Sequence, residues 1–287
     1  MQETKSYLKE RWKTELKSLS EQVIHELKHK GDLTKLDSPK TTQGLIDLRG
    51  FSAPKHYTTE KSNSGRDKTY VSEGIAIKKM NFESIDFSNS NFERCEFFNC
   101  RFFKSNFNEA RFVATNYWSC EFNTIEFIKT NFGQSTFQAD GLIFNKLKNN
   151  FSDITFEQVN FSDVFAFDQT FRKSHFFSCK TGKLFLNKCT LNGIVFTGTA
   201  KDIFIKESRK VENVDFSKAI VSGLSLGKQG LNGFHFPDGD TYFKFTNKSK
   251  QLANLQLLTR CQRKKSKWWI SLNLFGLKMI LKTILLT

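Results

Sequence analysis

The sequence predicts a repeat solenoid with a helix at each end. Three observations predict it. An aromatic side chain recurs every five residues through the middle of the chain. A small or apolar side chain runs two positions ahead of it. The two flanks instead carry apolar stripes at helical spacing. A period of five belongs to neither an α-helix nor a flat strand, and self-similarity sustained over about 28 units marks stacked repeats.

The chain has 287 residues, 38% of them hydrophobic and 32 of them Phe. That is enough to bury a sizeable core without disulfides or metal. Six Cys do not make a disulfide scaffold, and 3 Pro with 25% charged residues argue against disorder. No apolar core with a cleavage site opens the chain, so no secretory signal peptide is expected.

Residues 1–31 are expected to hold one amphipathic helix. Leu8, Trp12, Leu16, Leu19, Val23 and Leu27 lie on one stripe, and Gly31 sits where a C-terminal cap belongs. Such a helix caps the open end of a solenoid; the alternative is a partner or dimer helix. Residues 32–79 read as a partly irregular segment with a short apolar patch at Leu45, Ile46, Leu48 and Phe51. A polar, mobile linker is expected over about 52–70.

Residues 80–240 carry the ladder. It reads Phe82, Phe87, Phe92, Phe97, Phe102, Phe107, Phe112, Tyr117, Phe122, Phe127, Phe132, Phe137 and Leu142. After a slip it resumes at Phe151, Phe156, Phe161, Ala166, Phe171, Phe176, Thr181, Leu186, Leu191 and Phe196, and then at Val211, Phe216, Val221, Leu226, Leu231 and Phe236. Breaks are expected near 141–150, as a bulge or looped-out turn, and near 197–210, as one irregular coil retaining Ile203 and Ile205. The second column includes Met80, Ile85, Cys95, Cys100, Ala110 and Thr115.

Segments such as Ile85-Asp86-Phe87-Ser88-Asn89 and Val159-Asn160-Phe161-Ser162-Asp163 resemble the pentapeptide-repeat family over roughly 80–240. The resemblance implies an all-β solenoid, a right-handed quadrilateral β-helix with four repeats per coil, flanked here by N- and C-terminal α-helices. It implies that the central Phe and the small residue both point inward. It also implies a bacterial, non-enzymatic scaffold that needs no cofactor.

The excess charge sits elsewhere. Residues 80–143 net −3 and residues 144–240 net +3, whereas residues 241–287 carry 10 basic and 0 acidic side chains of the overall +15. The tail 241–287 is expected to be a basic amphipathic helical segment. Arg263, Lys264, Lys265 and Lys267 precede Trp268 and Trp269; drawn as a helix, Lys264, Lys267, Ser271, Lys278 and Lys282 share one narrow face and the rest of the circumference is Trp, Ile, Leu and Met. Lysines reach anionic headgroups and tryptophans sit at the interface, so these residues are candidates for membrane binding. Capping of the last coil is a second reading. A spanning helix over 268–287 is a third, burdened by Lys278 and Lys282 at about 2.5–3.5 kcal/mol each near the centre.

His25-Glu26-Leu27-Lys28-His29 matches the H-E-x-x-H pattern of zinc proteases. Both imidazoles lie opposite the apolar stripe, and no domain large enough for a cleft surrounds them, so the match reads as chance and metalloprotease activity as a remote alternative. Cys95, Cys100, Cys120, Cys179 and Cys189 all fall on the inward column and read as structural; Cys261 stands alone in the basic tail, as an inert thiol or a palmitoylation site. His175 and His235 occupy surface repeat positions.

The expected function is a cytoplasmic scaffold for an unidentified protein partner, peripheral at the inner membrane through an anionic surface. Alternatives are DNA gyrase protection, which needs an acidic rod, and a translocated effector. Nucleic-acid binding is confined to the tail as an alternative, and a homodimer through an end coil is another.

Overall fold

The structure, a computed structural model, describes residues 3–60, 68–138, 148–226, 231–237, 271–274 and 277–280. A four-sided parallel β-helix of about seven turns forms its body. One five-residue unit makes each side. Ladder residues define four faces: face 1 through Phe82, Phe102, Phe122 and Phe151; face 2 through Phe87, Phe107, Phe127 and Phe156; face 3 through Phe92, Phe112, Phe132 and Phe161; face 4 through Ile77, Phe97, Tyr117 and Phe137.

Three physical devices build the square. At the corners one residue takes a left-handed backbone, every five residues from Lys79 to Gln134 and again from Asp153 to Gly198, and then at Asp202, Glu207 and Asn213. That turn lets the chain change direction by a side. Two successive coils then pair in parallel, and Phe82 stacks on Phe102 at 4.8 Å and Phe102 on Phe122 at 4.6 Å. Ring contacts across the interior join neighbouring faces edge to face, as Phe87 does with Phe92 at 5.3 Å. Stacked and edge-on pairs each contribute about 0.5–1.5 kcal/mol beyond area burial.

The second column is small for a reason beyond space. Ser105, Thr115, Thr130 and Ser135 donate their hydroxyls to the carbonyls of Phe82, Phe92, Phe107 and Phe112, each 23 residues earlier, at 3.0, 2.9, 2.7 and 2.5 Å. Cys120 and Cys179 do the same with their thiols, to Phe97 and Phe156. The hydroxyl and thiol thus satisfy carbonyls that face the interior. Between the columns, Asn91, Asn106, Asn131 and Asn160 accept the backbone N–H two residues on, which pins the turn into the next corner.

The rod begins earlier than residue 80. Ile46 pairs with Ile85, and Leu48, Phe51 and Ala53 are buried with the main core, so residues 46–53 and 75–78 supply an additional coil. Its period is hidden because the segment expected as a linker leaves the rod there and returns. That segment contains an antiparallel hairpin, His56–Glu60 against Lys68–Glu73. Tyr57-Thr58-Thr59 and Thr69-Tyr70-Val71 are rich in β-branched and aromatic residues, which favours strands over linker.

The N-terminal helix is two helices, α1 (Lys5–Glu10) and α2 (Lys17–His29), where one was expected. The rod end breaks it. Arg11 makes a paired contact with the buried Asp47, at 3.0 and 2.6 Å, and Trp12 donates its indole N–H to the Arg49 carbonyl at 2.7 Å. Trp12, Leu19, Val23 and Leu27 then close the apolar end of the coil stack. α2 ends at Lys30 in a left-handed conformation, one residue before Gly31.

The first break is an insertion. Phe122 pairs with Phe151, 29 residues on, where Phe102 and Phe122 are 20 apart, so the chain has nine more residues in this coil than in the one before it. Leu142 lies outside the described residues. The second break is a complete coil. Ala200, Ile203 and Ile205 are buried, and ladder spacings of four, five and six from Phe196 to Ala200, Ile205 and Val211 replace three of five.

The basic tail differs from the expected helix where it is described. Ser271–Leu274 pairs antiparallel with Leu277–Ile280, placing Lys278 opposite Asn273. Ser271-Leu272-Asn273-Leu274 alternates polar and apolar residues, a local pattern that suits a strand. Arg263, Lys264, Lys265, Lys267, Trp268, Trp269 and Lys282 lie outside the described residues, as does Cys261.

Candidate interaction surface

The ladder residues named from the sequence point into the rod. Phe82 through Phe137, Phe151 to Phe176, Phe196 and Phe216 are buried, and Phe236 is partly covered at the C-terminal end. They build the scaffold and leave recognition to what projects outward.

The outward positions flank each ladder residue, and the four faces differ sharply. On face 2, from Asp86 to Ser217, the positions flanking the ladder include Glu126, Glu157 and Asp215, together with the buried Asp86, and no Lys or Arg. On face 3 they include Arg111, Lys180 and Lys201, with Glu93 bound to Arg111 and Lys55. The Arg111 and Lys55 bonds outweigh the cost of burial and hold the Glu93 carboxyl below its ordinary value.

Face 4 is aromatic. One outward column there contains Phe98, Trp118 and Phe167; the other contains Phe165, Phe185 and Phe204. Phe165, Phe185 and Phe204 stack in sequence at 4.5 and 4.7 Å, and Phe98 lies parallel to Trp118 at 6.0 Å. The Lys78 ammonium lies over the Phe98 ring at 5.5 Å, and that of Lys188 over Phe167 at 5.2 Å. Phe165 and Phe167 remain 49% and 42% exposed. Both insertions fall at corners of this face in the chain order: the hairpin between faces 3 and 4, and the nine extra residues between faces 4 and 1. The sequence did contain a signal for this face. Five of the nine Phe between 80 and 240 that miss the ladder project from it.

His25 and His29 are exposed on α2, with ring centroids 4.5 Å apart. Glu26, which the zinc-protease pattern would use as a base, accepts the Asp32 backbone N–H at 3.0 Å and so fastens the chain after the helix. Among the described residues, no set of three or more His, Cys, Asp and Glu side chains converges to hold a metal. Burial pushes the thiols of Cys95, Cys179 and Cys189 up to about 12, which makes them poor nucleophiles. His175 bonds Thr197 across one coil at 2.9 Å, and His235 is exposed. Among the described residues no helix is long and apolar enough to cross a membrane.

No protein-family model matches the chain, and no curated protein matches it. Similar solved structures include HetL, a pentapeptide-repeat protein involved in heterocyst differentiation regulation from the cyanobacterium Nostoc sp. It is 11% identical over 58% of this chain and 91% of its own, with a TM-score of 0.32. QnrB1, a plasmid-mediated fluoroquinolone resistance protein, is 13% identical over 63% of this chain and 87% of its own in one form, with a TM-score of 0.29. Superpositions this loose leave the fold to the chain's own geometry. A five-residue side, four sides per coil, left-handed corners and an inward Phe column make this chain a pentapeptide-repeat β-helix, a repeat scaffold.

Proposed function

We propose that the protein is a non-enzymatic scaffold for protein interaction, brought to an anionic membrane surface by its basic tail. The observation that carries this reading is the partition of charge. Residues 241–287 hold 10 basic and no acidic side chains, with Arg263-Lys264-Lys265-Ser266-Lys267 directly before Trp268-Trp269. Each basic residue near an anionic leaflet contributes about 1 kcal/mol, and tryptophan favours the headgroup boundary. The tether needs a basic, aromatic segment and does not depend on that segment being helical. In the rod, the inward side chains are taken up by packing and by carbonyl bonds, which suits a scaffold.

Flotation of the full chain with vesicles of phosphatidylserine and phosphatidylcholine tests the tether. The chain is expected to float at low salt and to sink with pure phosphatidylcholine. Arg263→Gln, Lys264→Gln, Lys265→Gln and Lys267→Gln together should weaken binding by at least about tenfold. A full chain that ignores anionic vesicles at low salt overturns the reading.

A further inference from the structure

We propose that the rod is itself amphipathic and lies along an anionic phospholipid bilayer by face 4. This rests on the tail reading only for the kind of surface; the contact it names is a separate one.

Face 4 is a seven-stranded parallel sheet, about 30 Å long at ~4.8 Å per strand. A band of six aromatic side chains runs along it: Phe98, Trp118, Phe165, Phe167, Phe185 and Phe204. Rings stacked at 4.5 and 4.7 Å leave no slot for an inserted base or side chain. What they offer is apolar surface in two patches, Phe98 with Trp118 and Phe165 with Phe167, Phe185 and Phe204, separated by Thr136 and Gln138, and a fluid lipid interface can meet such a surface without matching its shape. The Lys78 and Lys188 ammonium groups lie over rings of this face, which also carries one acid beside its ladder residues, Glu96. Aromatic rings beside lysines form the combination that an anionic interface favours, because the rings enter the headgroup boundary while the ammonium groups reach phosphate.

The opposite face supplies the orientation. Ring contacts run from face 1 to 2, 2 to 3, 3 to 4 and 4 to 1, as in Phe82–Phe87, Phe87–Phe92, Phe92–Phe97 and Phe97–Phe102, so face 2 lies across the rod from face 4. Its outward Glu126, Glu157 and Asp215 are repelled by a negative leaflet. Attraction on one side and repulsion on the other turn the same way up, and the tail then adds a second, independent attachment.

The test uses the full chain in four forms: wild type, the four-glutamine tail variant, Phe165→Ser with Phe167→Ser, and both sets combined. Phe177→Ser, on face 2, is the matched control. All substituted rod residues point outward, and circular dichroism with a melting curve verifies that each form is folded. Partition onto phosphatidylserine-containing vesicles is measured at low salt. The tail variant is expected to retain measurable binding, and adding the two Phe substitutions should lower it by about tenfold or more, with Phe177→Ser unchanged. A tail variant that does not bind at all overturns the face proposal and leaves the tail reading standing. Equal binding by the tail variant with and without Phe165 and Phe167 also overturns it, and points to a protein occupant for this face. Equal binding by wild type and tail variant, with loss on removing the two Phe, sinks the tail reading and supports the face.

Discussion

Asn149 donates its side-chain amide to the carbonyls of Gln138 and Tyr117, at 3.1 and 3.0 Å. Gln138 is the last described residue before the nine extra residues, and Tyr117 lies one coil below it. The same side chain accepts the Cys120 N–H at 2.5 Å, while the Asn149 N–H donates to Gln169. One buried amide therefore splices the rod across the gap. Asn149→Ala should cost about 1–3 kcal/mol, because buried backbone groups lose their partners; urea unfolding measures it. Deleting 139–147 restores the five-residue spacing, since Phe151 then follows Phe137 by 14 − 9 = 5. That deletion should keep the fold and change stability by no more than about 1 kcal/mol.

Inward and outward Phe should behave oppositely. Phe112 stacks between Phe92 and Phe132 at 5.5 and 5.2 Å and is buried. Phe112→Ala is expected to lose about 3–5 kcal/mol. Phe165→Ser, half exposed on face 4, should lose no more than about 1 kcal/mol. Chemical denaturation of both variants separates a core role from a surface one.

Acid should loosen the N-terminal cap first. Burial opposes the Asp47 charge, but hydrogen bonds from Arg49 and Arg11 outweigh it and hold the carboxyl well below the usual range. A depressed folded pKa means that the stability it contributes is fully present above the unfolded value of about 4 and is lost as pH falls below it. The Trp12 fluorescence signal should therefore shift below about pH 4 in wild type. Asp47→Asn, which leaves Arg11 buried without its counter-charge, should cost about 3–5 kcal/mol at neutral pH and flatten that acid dependence.

The interior thiols should be silent until the rod opens. Cys95, Cys179 and Cys189 have their thiols pushed up to about 12 by burial, burial also raises Cys120, and Cys100, which the Cys120 thiol lowers, is itself buried. Labelling with a thiol reagent at neutral pH, on a Cys261→Ser background, should report almost no reaction in native buffer. Stoichiometric labelling should appear only in denaturant. Fast native labelling would mean that coils separate locally.

The ladder was legible because its cause is local. A five-residue side with a left-handed corner puts every fifth residue inside, so Phe82, Phe87 and Phe92 announce the fold by spacing alone. Ser105 and Thr115 were legible as small but not as carbonyl donors, because their acceptors lie 23 residues back. The two-helix cap was not legible: Leu8 to Leu27 share a stripe, and only the contact of Arg11 with Asp47, 36 residues away, breaks it.

The sequence by itself determined the period, the inward residues and the charge imbalance of the tail. Tertiary structure alone decided which outward residues share a face. Phe98 and Phe165 stand 67 residues apart, and they share face 4 only because nine extra residues separate Gln138 from Lys148 before the register resumes. Registry between coils depends on the summed length of everything between them, whereas a period depends only on near neighbours. That difference is why the core could be read directly and the aromatic face could not.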